Sequence, residues 1–359
     1  MESKKYTVAI LGLGPRGLKH IIGFKENPDK FEIVGLCDLR QERIDNALKQ
    51  VGNDCFTTTN AEELLSVCKP DVFCFVTLPD IRLEMVKLAA KYKVKGLAFE
   101  KPMATSLNEA REITKICNEN NIKAIVSHQQ KYIPSMQVMK NIIDSGALGK
   151  IERIHINCRA NLTNLGTHFV DYAIWANNGC KIDWVCGHVH GRVMLEDSHP
   201  SPDFVMSECG FSNGVRLFCE IGYLSPMNLD KHLYWTDNRL TVYGSTGYAW
   251  AETEGSYAYF TKDTKGELIS GFTSGWGEVE PLLQIPYLKE FAEWLGDDAK
   301  VHSCNVNIAQ HGYEILDAMC ISALENTRID IPIKDVKHDD VFEELKKILP
   351  EVSGTKITY

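Results

Sequence analysis

The sequence predicts a two-part α/β protein. A doubly wound parallel sheet covered by helices comes first, and an α+β domain with a large, mostly antiparallel open sheet follows. Two observations carry this. From residue 6 to about 127, short β-branched apolar runs alternate with amphipathic stretches of helical period. Beyond residue 151, longer alternating runs rich in β-branched and aromatic residues follow one another with Gly, Asn, Ser and Asp between them. A length of 359 residues fits about two domains of roughly 150 residues each. The expected division is 1–128 and 129–359.

In the first part, strands are expected at Thr7–Leu11, Phe31–Cys37, Val72–Thr77, Gly96–Phe99 and Ala124–Ser127, with a short one near Cys55–Thr57. Helices fall between them. The stretch from Arg40 to Val51 places Ile44, Ala47, Leu48 and Val51 on one stripe, and Ile81 to Tyr92 does the same with Met85, Val86, Leu88 and Ala89. After Pro134 a helical period runs through Ser145, and the turn from Gly146 to Ile151 leads into the second part. There the expected strands are Glu152–Arg159, Ile182–Val193, Phe204–Phe211, Val215–Ile221, Arg239–Tyr243 and Tyr257–Thr261. Helices are expected at Gly166–Trp175, Tyr287–Leu295, Ile308–Glu325 and, amphipathically, Val341–Leu349.

Composition removes several function classes. Lys and Arg total 39 against 48 Asp and Glu, a net charge of −9, so no general basic field draws nucleic acid or an anionic membrane surface. No apolar run reaches the ~18 residues of a membrane span, and the N-terminal apolar stretch is broken by Gly before Arg16, unlike a signal peptide. The twelve cysteines are scattered without a CxxC pair, which reads as small buried hydrophobes in a reducing cytoplasm. His188 and His190 share a strand face but have no acidic or thiol partner at ligand spacing, so no metal is expected.

The first strand runs into Gly12-Leu13-Gly14-Pro15-Arg16-Gly17 and then a helix, the context that gives a G-x-G-x-x-G its meaning. Gly12 permits the tight turn, Gly14 lets a pyrophosphate approach, and Gly17 lets helix and strand pack closely. The helix N-terminus adds N–H donors and partial positive charge. The next strand ends at Asp38, 21 residues beyond Gly17. An acid there accepts from the adenosine ribose hydroxyls and repels a 2′-phosphate, which favours NAD, although Arg40 two residues on is suited to accommodate that phosphate.

The strand Gly96–Phe99 ends in Glu100-Lys101-Pro102, at the sheet edge where ligands bind in open α/β folds. Together with GLGPRG, this Glu-Lys-Pro resembles the signature of the Gfo/Idh/MocA oxidoreductases, the family of glucose-fructose oxidoreductase and inositol dehydrogenase. The resemblance runs from about residue 6 to about 333. Thr77-Leu78-Pro79-Asp80 is similar to the family's turn beside the cofactor, with Leu78 where proline is common. Residues 126–151 match its passage from the last strand to the interdomain helix, Gln130 replacing a frequent arginine. Residues 164–171 match its Asp-x-Gly-x-His-x-x-Asp segment, Asn164 standing for the first aspartate.

The resemblance implies NAD contacts from Gly12, Leu13, Gly14, Arg16, Gly17, Asp38, Thr77, Pro79, Glu100, Lys101 and Ser127. It also implies a small sugar, inositol or glycoside substrate and a homo-oligomer. Removing a hydroxyl proton as hydride leaves carbon requires a base, and a nearby cation stabilises the developing alkoxide. Lys101 and His168 are the candidates for these roles, in either order. Asn164 and Tyr132 are candidate substrate contacts. The leading expectation is an NAD-dependent dehydrogenase acting on a secondary hydroxyl, with glucosyl C3 among the positions considered. The alternatives are a glycosidase or lyase that retains its NAD and oxidises transiently, and a cofactor-binding regulator without catalysis.

Overall fold

A computed structural model describes residues 5–228, 234–338 and 340–352. In chain order the first elements are β1 (Tyr6–Leu11), α1 (Pro15–Lys25), β2 (Phe31–Cys37), α2 (Gln41–Val51), β3 (Phe56–Thr58) and α3 (Ala61–Cys68). Then come β4 (Val72–Phe75), α4 (Arg82–Lys91), β5 (Gly96–Phe99), α5 (Leu107–Glu119), β6 (Lys123–Val126) and α6 (Pro134–Asp144). These are followed by β7 (Ile151–Cys158), α7 (Thr167–Ala176), β8 (Ile182–His190), β9 (Phe204–Phe211), β10 (Arg216–Gly222), β11 (Asn238–Gly244) and β12 (Gly247–Glu252). The last are β13 (Ser256–Phe260), β14 (Ile269–Phe272), α8 (Trp276–Val279), α9 (Gln284–Gly296), α10 (Val306–Glu325), β15 (Ile329–Asp330) and α11 (Val341–Ile348).

The chain forms two compact units, 1–129 with 280–310 and 130–279 with 311–359. The linear division at 128/129 therefore differs from the folded one in where it puts 280–310. The reason is packing. Gly23 on α1 lies against α9, where a Cβ would stand 2.7 Å from the Cβ of Gln284, and the Asn27 amide donates to the Ile285 carbonyl at 3.0 Å. Past α9 the chain returns to the edge strand β6, where Val126 N–H donates to the Cys304 carbonyl at 3.0 Å.

The first unit carries a six-stranded sheet in the order β3-β2-β1-β4-β5-β6, every pairing parallel. Its central strands read as unbroken apolar runs because both faces are covered. Val8, Ala9, Ile10, Val72, Phe73, Cys74, Leu97 and Ala98 are all fully buried. Side-chain caps start α3 and α5, where Asn60 accepts from Glu63 N–H at 2.9 Å and Ser106 from Glu109 N–H at 3.2 Å. Strand order turns back beside β1, so the loops after β1 and β4 open at the carboxyl edge where the order reverses.

The second unit carries a nine-stranded sheet in the order β14-β13-β12-β11-β7-β10-β9-β8-β15. All its pairings are antiparallel except β7 with β10. One face has Ile154, Ile156, Leu217, Leu240 and Val242 buried; α7 packs on β7 and β11, and α6 on β12 and β13. Gly187 on β8 lets α10 come close, since a Cβ there would stand 2.3 Å from the Met319 carbonyl oxygen. Strands β12, β14 and β15 have no counterpart in the sequence reading. β14 is mostly exposed and only four residues long, and β15 has two. The twelve cysteines are free thiols, eight of them buried.

Candidate functional site

The first unit collects the predicted cofactor residues at the carboxyl ends of its strands. Gly12 has φ +87°, and a Cβ on it would stand 2.3 Å from the Val76 carbonyl oxygen; one on Gly17 would stand 2.0 Å from that of Gly12. Both positions demand glycine for the fold. Gly14 differs. Its φ is an ordinary −66°, and a Cβ would meet only the Arg43 guanidinium, at 3.5 Å. Position 14 is therefore not held to glycine by the fold around it. Helix α1, begun by Pro15 after Gly14, has no side-chain cap, so the amides of its first turn remain available to an anion.

Asp38, only 4% exposed, accepts from Leu13 N–H at 2.7 Å and from Arg40 N–H at 3.0 Å. The carboxylate thus braces the Gly-rich turn. Its cationic neighbour is Arg43, whose Nη1 lies 3.3 Å away, whereas the Arg40 side chain is half-exposed and turns toward Glu42 at 3.7 Å. Sequence reasoning put the cation at Arg40 and missed Arg43, which returns from the first turn of α2. Thr77, just past β4, has its Oγ1 buried without a hydrogen-bond partner among the described residues. Leu78 beside it is exposed, and Pro79 opens a 3₁₀ turn. The Ser127 hydroxyl is engaged inside the unit, with Gln129 at 3.0 Å and Gln284 at 3.3 Å. An open glycine cradle, an uncapped helix and an orphaned hydroxyl fit a dinucleotide along this edge.

Glu100, itself buried, is the hub of a partly buried ionic network. It accepts from Arg16 Nε at 3.0 Å and His20 Nε2 at 2.9 Å. Arg16 continues to Glu280 at 2.8 Å, which also takes Lys19 at 2.9 Å. Burial opposes ionisation of Glu100, but Arg16 and His20 outweigh it and hold the carboxyl well below its usual range. Burial likewise opposes the charge of Arg16, and Glu100 outweighs it, so the guanidinium titrates above its ordinary value.

Lys101 follows, joined to Pro102 by a cis peptide. Burial is the main influence on its ammonium. Glu100 opposes it, Arg16 and Arg82 reinforce it, and the result is about 8 in place of 10.5. A lysine there exchanges its proton close to neutral pH. Sequence reasoning missed His20, Gln284, Glu280 and Arg82 as parts of this surrounding, because they come from segments distant in the chain.

The second unit holds His168, Asn164 and Tyr132. His168, 2% exposed, lies in the first turn of α7 with Nδ1 2.7 Å from the Tyr172 hydroxyl one turn on. In the tautomer whose Nδ1–H donates to Tyr172, the basic lone pair is on Nε2. Asp171 on the same helix is paired in full burial with Lys131, a pairing that the sequence pattern does not reveal. Asn164 is half-buried in a π-helical turn, Leu162–Gly166, that precedes α7. The expected helix thus starts one residue later, at Thr167, behind a wider turn whose Leu165 and Gly166 amides both donate to the Asn161 carbonyl at 3.0 Å. Asn161 itself is 1% exposed with both amide atoms unpartnered among the described residues, and it was missed. Tyr132 is half-buried in the turn before α6. His188 and His190 are exposed on β8.

Residues 6–128 match the family model described as the Gfo/Idh/MocA oxidoreductase family, NAD-binding Rossmann fold. This segment, about a third of the chain, is similar to that family. The chain aligns with the 4-carboxy-2-hydroxymuconate-6-semialdehyde dehydrogenase of a Sphingobium species at 23% identity over 228 residues, 62% of its own length and 71% of that protein's. With the glucose-6-phosphate 3-dehydrogenase of Bacillus subtilis it shares 25% identity over 154 residues, 43% of this chain and 42% of the relative. Likeness of fold to solved structures extends beyond the matched segment. A levoglucosan dehydrogenase solved with NADH and L-sorbose superimposes with a TM-score of 0.78 at 16% identity, covering 92% of this chain and all of that one. The Rossmann sheet and the large, mostly antiparallel sheet are thus the architecture of known oxidoreductase structures. No helix among the described residues is long and apolar enough to cross a membrane.

Proposed function

We propose that the chain is an NAD-dependent dehydrogenase that oxidises a secondary hydroxyl of a sugar, inositol or glycoside, glucosyl C3 among the candidate positions, to a ketone. The observation that carries this reading is Lys101, at the carboxyl end of a Rossmann strand with its ammonium brought down to about 8. Bound NAD supplies the hydride acceptor. The amides of the first turn of α1 hold its phosphates, Asp38 takes a ribose hydroxyl, and Thr77 Oγ1 gains the partner it lacks. Lys101 and His168 are the proton-handling groups. The neutral amine accepts the hydroxyl proton, or steadies alkoxide character when charged, and the imidazole takes the complementary role. Asn164 and Tyr132 are proposed to bind hydroxyls. The names of the glucose-6-phosphate 3-dehydrogenase and levoglucosan dehydrogenase relatives support a carbohydrate substrate.

The test is the purified chain with NAD and a panel of sugars, inositols and glycosides, followed by the absorbance of reduced nicotinamide. Stoichiometric NADH with at least one polyol is expected. Binding of NAD without NADH from any panel member contradicts the reading, as does glycoside cleavage that accumulates no NADH.

A further inference from the structure

Arg82 opens α4 in the first unit and is only 2% exposed. Its Nη2 donates to the Thr77 carbonyl at 2.7 Å and reaches the Lys101 carbonyl at 3.4 Å. Those carbonyls lie just beyond the carboxyl ends of the neighbouring strands β4 and β5. The Nε and Nη1 atoms are buried without a hydrogen-bond partner among the described residues. The charged groups around it are Glu100, Glu109 and Asp80, which favour its charge, and Lys101, which does not. None of these carboxylates forms an ion pair with it, and Glu100 is already bonded to Arg16 and His20. Burial consequently brings even this guanidinium down to about 10.

A buried guanidinium with two unmet donors and no carboxylate partner destabilises a fold, and an apolar side chain of similar size would fill the space at lower cost. What the arginine does there is hold two strand-end loops by their carbonyls, and one of those loops starts the side chain of Lys101. We infer that Arg82 is a positioning residue for Lys101: it ties the Thr77 turn to the Lys101 backbone and keeps a second buried cation bonded to that backbone. The inference rests on the reading of Lys101 as a proton-handling group. Two like charges close together in low dielectric favour loss of one proton, and lysine gives it up before arginine. Burial, Glu100 and Arg16 act on Lys101 whatever stands at position 82, so the contribution of Arg82 is separable by substitution.

The experiment measures the acylation rate of Lys101 by acetic anhydride against pH in the full chain, read by mass spectrometry of the peptide that carries it. The wild-type midpoint is expected near the value of about 8. In Arg82→Gln it is expected to rise by about one pH unit, whereas Arg82→Lys, which keeps the charge, leaves it in place. A midpoint unmoved in Arg82→Gln, or one that rises equally in both variants, overturns the inference. Should Arg82→Gln fail to fold, Arg82→His takes its place, being neutral above roughly pH 6.5, with the same rise expected. Labelling needs no substrate. A wild type that makes no NADH overturns the proposed reaction and not the coupling, whereas NADH formation with unmoved midpoints overturns the coupling alone.

Discussion

At the scale of single residues, the proposed chemistry turns on Lys101, whose burial favours loss of its proton. If neutral Lys101 is the base, kcat/KM for oxidation rises with pH through about 8, because the productive form is the deprotonated one. Lys101→Met is expected to lower kcat by roughly 10²–10⁴-fold and to abolish that limb, while NAD titrated by fluorescence still binds. A limb that persists in the variant assigns it to another group. Stability follows the same proton with its own sign. The folded chain holds Lys101 near 8 against an ordinary 10.5, so the cost of burying the ammonium is present in full below pH 8 and is relieved as pH rises toward 10.5. The position of Lys101 was legible because Glu-Lys-Pro follows a strand at the sheet edge. Arg82 and Arg43 were not. One arginine in an amphipathic helix reads as solvent-facing, and only coordinates show Arg82 turned onto two carbonyls and Arg43 returned to Asp38.

At the scale of elements, the contact of α1 with α9 decides which segment completes the first unit. Gly23→Ala in an ordinary helix would add up to about 1 kcal/mol of stability. Here the new methyl meets Gln284 at 2.7 Å and Leu288 at 2.9 Å, so the sign reverses, and a loss of about 1–3 kcal/mol is expected as a lowered Tm in thermal denaturation. An unchanged or raised Tm contradicts the packing. The parallel strands were legible because helices cover both faces and leave unbroken apolar runs. The placement of α9 was not, since nothing local joins Gln284 to a helix more than 250 positions earlier. β12 and β14 escaped notice for another reason. Alanine and glycine stand where β-branched residues would mark a strand, and pairing with neighbours supplies the order that propensity does not.

At the scale of the whole molecule, the fold class was legible in the sequence pattern, whereas the ionic surrounding of Lys101 and the buried Lys131–Asp171 pair arise from long-range contacts. The claim on which the account depends is that hydride passes from a carbinol carbon of a polyol to NAD. The most direct measurement uses fully C-deuterated glucose, inositol and methyl glucoside with NAD and the intact chain, followed by mass analysis of the nicotinamide product. Reduced cofactor one mass unit heavier is expected with at least one of these substrates, formed roughly 10²–10⁴-fold more slowly by Lys101→Met. Reduced cofactor without deuterium, or no reduced cofactor from any of them, would contradict it.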